Sequence, residues 1–246
     1  MKDFAYQAVR SGGAGIIDLS SRGRIRVGGS EAVMFLNGLI TNDMKTLEPL
    51  RWMPAVFPNV QGRLIAAVRV VRLSDEENTP RFLLDTEGAT HKAVLKVIER
   101  FTMAGDFRVV DITGDTSCLS VQGKQALSQV GSIWNVLNGE LLHDGVAEVS
   151  WNETAVTVIR ASHTAEDGLD VIVDRQYVAE LAERLAKAGA VSVDEETFET
   201  LRIEAGVPHF GKDMDDTNVV SETNLDDAVS FTKGCYIGQE IIARIK

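Results

Sequence analysis

The stretch Leu64-Ile65-Ala66-Ala67-Val68-Arg69-Val70-Val71-Arg72-Leu73 reads as one long strand, because β-branched and small apolar residues fill it and only arginine interrupts them. Phe82–Asp85 follows as a second strand. A helix then spans about Ala89–Phe101, with Val94, Val97, Ile98 and Phe101 at helical spacing. Upstream, Ile16–Leu19 and Arg24–Val27 are short strands around a turn at Ser21-Arg22-Gly23. Ser30 is placed to cap a helix through Asn37, with Val33, Leu36 and Ile40 on one stripe.

Downstream, Phe107–Asp111 returns to strand. Ser117–Val121 is a strand leading into a helix over Lys124–Val130. Ala155–Ile159 and Leu169–Val173 are strands, and Gln176–Lys187 is a helix with Val178, Leu181, Ala182 and Leu185 inward. Strands and helices mix without a strict βαβ alternation. That order predicts an α+β fold of mainly antiparallel sheets with packed helices. The expected division is residues 1–106 with 191–246 as one discontinuous subdomain and 107–190 as the second.

At 246 residues the chain is long enough for one or two domains with a sizeable core. Its net charge of −11 repels a polyphosphate backbone at long range, which argues against direct nucleic-acid binding. Two cysteines, Cys118 and Cys235, cannot alone build a four-thiolate metal or cluster site, and they do not suggest a disulfide scaffold. His91, His143, His163 and His209 show no metal-ligand spacing. No apolar run suggests a signal peptide or a membrane span, so a reducing, cytoplasmic setting is the expectation. Gly12-Gly13-Ala14-Gly15 leads into a strand where a phosphate-cradling loop needs a helix, and reads as an entry loop.

Two places hold candidate chemistry. Asp194 caps a helix through Glu195, Phe198 and Leu201 to about Ala205, ended by Gly206 and Pro208. Glu204 lies in its last turn, against the negative end of the helix dipole and beside the apolar stripe. Two readings stand: a carboxylate accepting N–H donors from a flat heterocycle, or a salt bridge to Arg202 or another base. The second place is Lys233-Gly234-Cys235-Tyr236-Ile237-Gly238-Gln239-Glu240. Its glycines permit close backbone approach, and its lysine can favour a thiolate at Cys235. A nucleophile also needs a base, and no histidine is near in sequence.

Several blocks together resemble the YgfZ-type folate-binding family, which is related to the aminomethyltransferase (T-protein) of glycine cleavage. They are Gly15–Ser20 with Arg22–Val27, Leu39-Ile40-Thr41-Asn42-Asp43, Phe57-Pro58-Asn59-Val60-Gln61-Gly62-Arg63, Leu201–Gly206, and the Lys233–Glu240 segment. The last is the specific one. The resemblance implies a T-protein-like fold, tetrahydrofolate or a derivative as ligand, and iron–sulfur proteins or assembly factors as partners. It also implies an association with tRNA modification. It makes Glu204 a candidate pterin contact, Asp85 and Asn59 looser ones, and Cys235 the branch's characteristic working thiol. Lys233, Gly234, Tyr236, Gly238, Gln239 and Glu240 complete the motif.

Two departures qualify it. Ala66 and Ala67 occupy the positions of the paired acids of T-proteins, and alanine can neither move a proton nor stabilise an iminium charge. The chain also stops at Lys246, before the C-terminal β-barrel the resemblance leads one to expect. The expected function is therefore a tetrahydrofolate-binding accessory protein in iron–sulfur cluster assembly or repair. A folate-dependent one-carbon transferase and a ligand-free scaffold are the alternatives.

Overall fold

The computed structural model describes residues 2–100, 102, 103, 105–134, 141 and 143–245. In chain order the elements are α1 (Lys2–Arg10), β1 (Gly15–Asp18), β2 (Gly23–Gly28), α2 (Ala32–Leu39), β3 (Arg51–Pro58), β4 (Leu64–Arg72), β5 (Arg81–Thr86), α3 (His91–Glu99) and β6 (Arg108–Asp111). They continue with β7 (Thr116–Gln122), α4 (Ala126–Gly131), β8 (Val146–Trp151), β9 (Thr154–Arg160), β10 (Gly168–Asp174), α5 (Val178–Lys187), β11 (Val191–Ser192), α6 (Glu195–Glu204) and α7 (Gln239–Ile245). The fold is α+β, as the order of elements predicts.

The chain divides into two compact units, residues 1–20 with 114–207 and residues 21–113 with 208–246. The expected boundaries differ from these at both ends. Residues 1–20 join the first unit because β1 pairs with β7 antiparallel and with β11 parallel. That pairing draws residues 191–207 in as well. A two-residue strand such as β11 leaves no pattern in the sequence.

The first unit has the sheet β11-β1-β7-β10-β9-β8, antiparallel apart from the β1–β11 pair. One face carries the core: Leu119, Val121, Val156, Val158, Leu169, Val171 and Val173, closed over by Leu181 and Leu185 of α5. The second unit has the antiparallel sheet β3-β4-β5-β2-β6. Its core joins Ile25, Val27, Ala66, Val68, Val70, Phe82 and Leu84 to Leu36 of α2 and to Val94 and Ile98 of α3.

Strands β3 and β8 went unread in the sequence, and both are edge strands. Pro54 interrupts the apolar pattern of β3 and is tolerated because β3 pairs on one side only. Helices α1 and α7 were also unread. The helix expected from Ser30 starts later, at Ala32. Ser30 instead turns to Asp106, taking Oδ2 with both its N–H and its hydroxyl. Phe101, the expected end of α3, lies outside the described residues, and the helix ends at Glu99. The reading of α6 holds in detail. Asp194 accepts from Thr197 N–H, and Gly206, at φ 68°, terminates the helix with Val207 N–H bonded to Arg202 O.

Candidate functional site

The Lys233–Glu240 segment lies in the second unit and is stitched to the end of α2. The carbonyls at a helix C-terminus lack intrahelical partners. Here they are met by the later segment. Ile237 N–H donates to Gly38 O, and Ser230 N–H donates to Thr41 O just beyond the helix. Lys233, 7% exposed as a residue, donates from Nζ to three carbonyls: Asn37 O at 2.6 Å, Ile40 O at 2.9 Å and Asn42 O at 2.7 Å. Its ammonium also stands 5.0 Å from the centre of the Tyr236 ring. Burial pushes the Lys233 pKa down to about 8, with Asp43 acting in the opposite direction. Tyr236 is buried, which raises its phenol pKa.

Between these fixed neighbours, Cys235 is exposed with a free thiol, whereas Cys118 is a buried residue of β7. Gly238, at φ 76°, lies against the turn that joins β3 to β4. A Cβ there would sit 2.4 Å from Asn59 O, closer than any side chain tolerates. That turn is built by Asn59, whose Oδ1 accepts from Gln61 N–H and Arg63 N–H. The motif and the Asn59 turn are thus one assembly, and Gln239 and Glu240 open α7 beside it.

Asp85, also in this unit, is 3% exposed. Arg22 Nε donates to its Oδ1 at 2.8 Å and Arg69 to its Oδ2 at 2.7 Å. The next two residues are paired as well. Thr86 Oγ1 meets His91 Nδ1 at 3.1 Å, His91 Nε2 meets Asp111 at 2.9 Å, and His209 Nε2 stands 2.7 Å from Glu87. Ala66 is buried in the core and Ala67 packs against a smaller cluster around Val56, Leu64, Met214 and Tyr236.

Glu204 belongs to the first unit. It is exposed. It forms a salt bridge, to Arg10 at 2.8 Å, and accepts from Tyr6 Oη at 2.9 Å. Arg10 and then Tyr6 hold its carboxyl below the usual carboxylate range. Arg202 pairs with Glu199 instead.

The acid in this unit with the more constrained setting is one the sequence reading passed over. Asp170 of β10 is fully buried and meets His163 Nε2 at 2.9 Å. It lies across from Ser120 on β7, which with Gln122 makes a buried polar face. The available signal was an acid set among Leu169, Val171, Ile172 and Val173. Among the described residues no group of three or more His, Cys, Asp or Glu side chains could hold a metal ion, and no helix is long and apolar enough to cross a membrane.

The model of the GCVT N-terminal domain matches residues 5–233. The chain belongs to the GCVT N-terminal domain family. Within and around that family, it is 28% identical over 249 residues to an aminomethyltransferase of Thermoanaerobacter pseudethanolicus, covering 98% of this chain and 66% of the relative. It is 29% identical over 235 residues to an iron–sulfur cluster assembly factor IBA57 homolog, mitochondrial, of Mycosarcoma maydis, covering 91% of this chain and 51% of the relative. Glycine cleavage system aminomethyltransferase T from Bartonella henselae shares the fold, with a TM-score of 0.87 at 23% identity, covering 98% of this chain and 65% of that one. The chain therefore spans between half and two thirds of the length of these GCVT relatives.

Proposed function

We propose that this GCVT-domain protein is a tetrahydrofolate-binding accessory factor of the YgfZ type in iron–sulfur cluster assembly or repair, with Cys235 as its working thiol. The observation that carries the reading is the Cys235 thiol, exposed on a segment whose flanking residues are pinned by buried hydrogen bonds. Two further points support it. Ala66 and Ala67 are apolar packing residues of β4, so neither serves an aminomethyl transfer that needs an acid there. The similarity to an iron–sulfur cluster assembly factor runs over 91% of the chain.

The side chains suit the donor-rich edge of a pterin. Asp85 is a buried acceptor whose two oxygens each take a guanidinium N–H. Asn59 uses its carbonyl oxygen in the turn, and its amide N–H groups donate to no described atom. Glu204, taken by itself in the first unit, is a weaker candidate, because Arg10 and Tyr6 already hold its carboxylate in solvent. Tetrahydrofolate, when bound, supplies a reducing amine able to carry one carbon.

The test is complementation. A strain lacking the gene receives wild type or Cys235→Ala, and iron–sulfur enzyme activities are assayed. Loss of rescue with the variant, together with a rise in wild-type melting temperature on adding tetrahydrofolate, is the expected result. Full rescue by Cys235→Ala removes the thiol from the function. An unchanged melting temperature at saturating tetrahydrofolate removes the ligand.

A further inference from the structure

We propose that Lys233 is the positioning residue of Cys235, its ammonium serving as a plug that holds the thiol segment on the carbonyl-rich end of α2. The proposal deepens the reading of Cys235 as a working thiol and rests on it for its functional half.

The end of α2 presents a series of outward carbonyls. Thr41 N–H, which helical geometry would send to Asn37 O, goes instead to Val56 O. That leaves Asn37 O to be satisfied from elsewhere, and Lys233 does so. Ile40 O and Asn42 O turn toward the same nitrogen. An ammonium has three N–H donors and no acceptor, so three converging carbonyls match it, and the negative end of the helix dipole favours its charge. A neutral amine has two donors and would set its lone pair against the third carbonyl.

The position is also unfavourable for a charge, since burial makes the proton easier to lose there than in water. An apolar side chain there would leave the three carbonyls without this donor, which ties the charge to this helix end. What the plug fixes is local. Lys233 and the Ile237 N–H bracket Cys235, and both bind the same helix end. Releasing the ammonium frees the residues around the thiol while the sheet of the unit remains paired.

Hydrogen exchange at single-amide resolution tests this in the full chain. The Ile237 amide reports the segment, and the Val68 and Val70 amides of β4 report the fold. Lys233→Met keeps the volume and removes the charge. It is expected to speed Ile237 exchange at least tenfold with β4 unchanged. Lys233→Ala is expected to do the same, and added propylammonium, which replaces the missing stem and charge, to slow Ile237 again where 1-propanol does not. If Lys233→Met keeps wild-type exchange at Ile237, or if propanol rescues as well as propylammonium, packing alone explains the residue and the plug is overturned. If β4 exchange rises equally, the effect is global and the positioning role is equally overturned.

Complementation separates this from the parent reading. The expected pattern is that Lys233→Met and Cys235→Ala both lose iron–sulfur enzyme rescue. Rescue by Lys233→Met alone overturns the positioning role and spares Cys235. Rescue by Cys235→Ala overturns the role of the thiol, leaving the exchange data to decide the plug.

Discussion

Asp85 and Glu204 make a controlled comparison within one chain. Each is a carboxylate near the end of a regular element, and each takes an arginine N–H at 2.8 Å or less. Asp85 is buried between two guanidiniums, while the Glu204 side chain is 43% exposed. The same pair of functional groups is thus a structural centre in one unit and a surface contact in the other. Depth, which sets the price of desolvation and the screening of the attraction, separates them.

The largest effect should come from taking away the buried partner. Asp85→Ala removes the carboxylate that Arg22 and Arg69 both contact beside β4 and β5, and the expected loss is roughly 3–5 kcal/mol of unfolding free energy. Urea denaturation measures it. A loss no larger than that of a surface substitution would show that water reaches the arginines freely, and the comparison would break.

Lys233 extends the comparison to a buried cation whose hydrogen-bond partners are carbonyls. Its pKa in the folded chain, about 8, is below the ordinary value of 10.5. Between these two values the unfolded chain holds the proton and the folded chain has released it. Stability contributed by this residue therefore rises as pH increases from 8 to 10.5 and is level on either side. Relative to Lys233→Met, the wild-type urea midpoint should climb across that window. A flat difference would mean that the three carbonyls offset the desolvation in full, making Lys233 as comfortable in its cradle as Glu204 is in solvent.

Legibility in the sequence follows the same line between local and distant causes. The caps of α6 were legible because Asp194, Gly206 and Pro208 act within a turn of the helix. The long strand β4 was legible from its composition. Edge strands β3 and β8 were not, since Pro54 breaks the apolar pattern of β3 and Glu148 and Ser150 break that of β8. At the candidate site, the Lys233–Glu240 string was conspicuous, yet nothing local says that Lys233 reaches back to residues 37–42. Glu204 drew attention by offending the helix dipole, and its remedy, Arg10, lies 194 positions away. Asp170 escaped notice because one acid in a strand is common, and only the structure shows it fully buried.

The smallest effect is expected at Glu204, and it is the one that tests whether a broken local rule marks a function. Glu204→Gln removes the charge and keeps a hydrogen-bonding end for Arg10 and Tyr6. An exposed ion pair contributes little because water screens it and two long side chains must be ordered to form it. The urea midpoint should therefore be unchanged within error, and the residual effect should vanish in high salt. Tetrahydrofolate affinity is the sharper measure. If Glu204 is only a partner for Arg10, the variant binds as the wild type does. A tenfold or greater loss of affinity with an unchanged midpoint would instead mean that the carboxylate leaves Arg10 to meet the ligand. The unfavourable helix end would then reflect binding, and the comparison with Asp85 would have to be redrawn around which carboxylate is free to move.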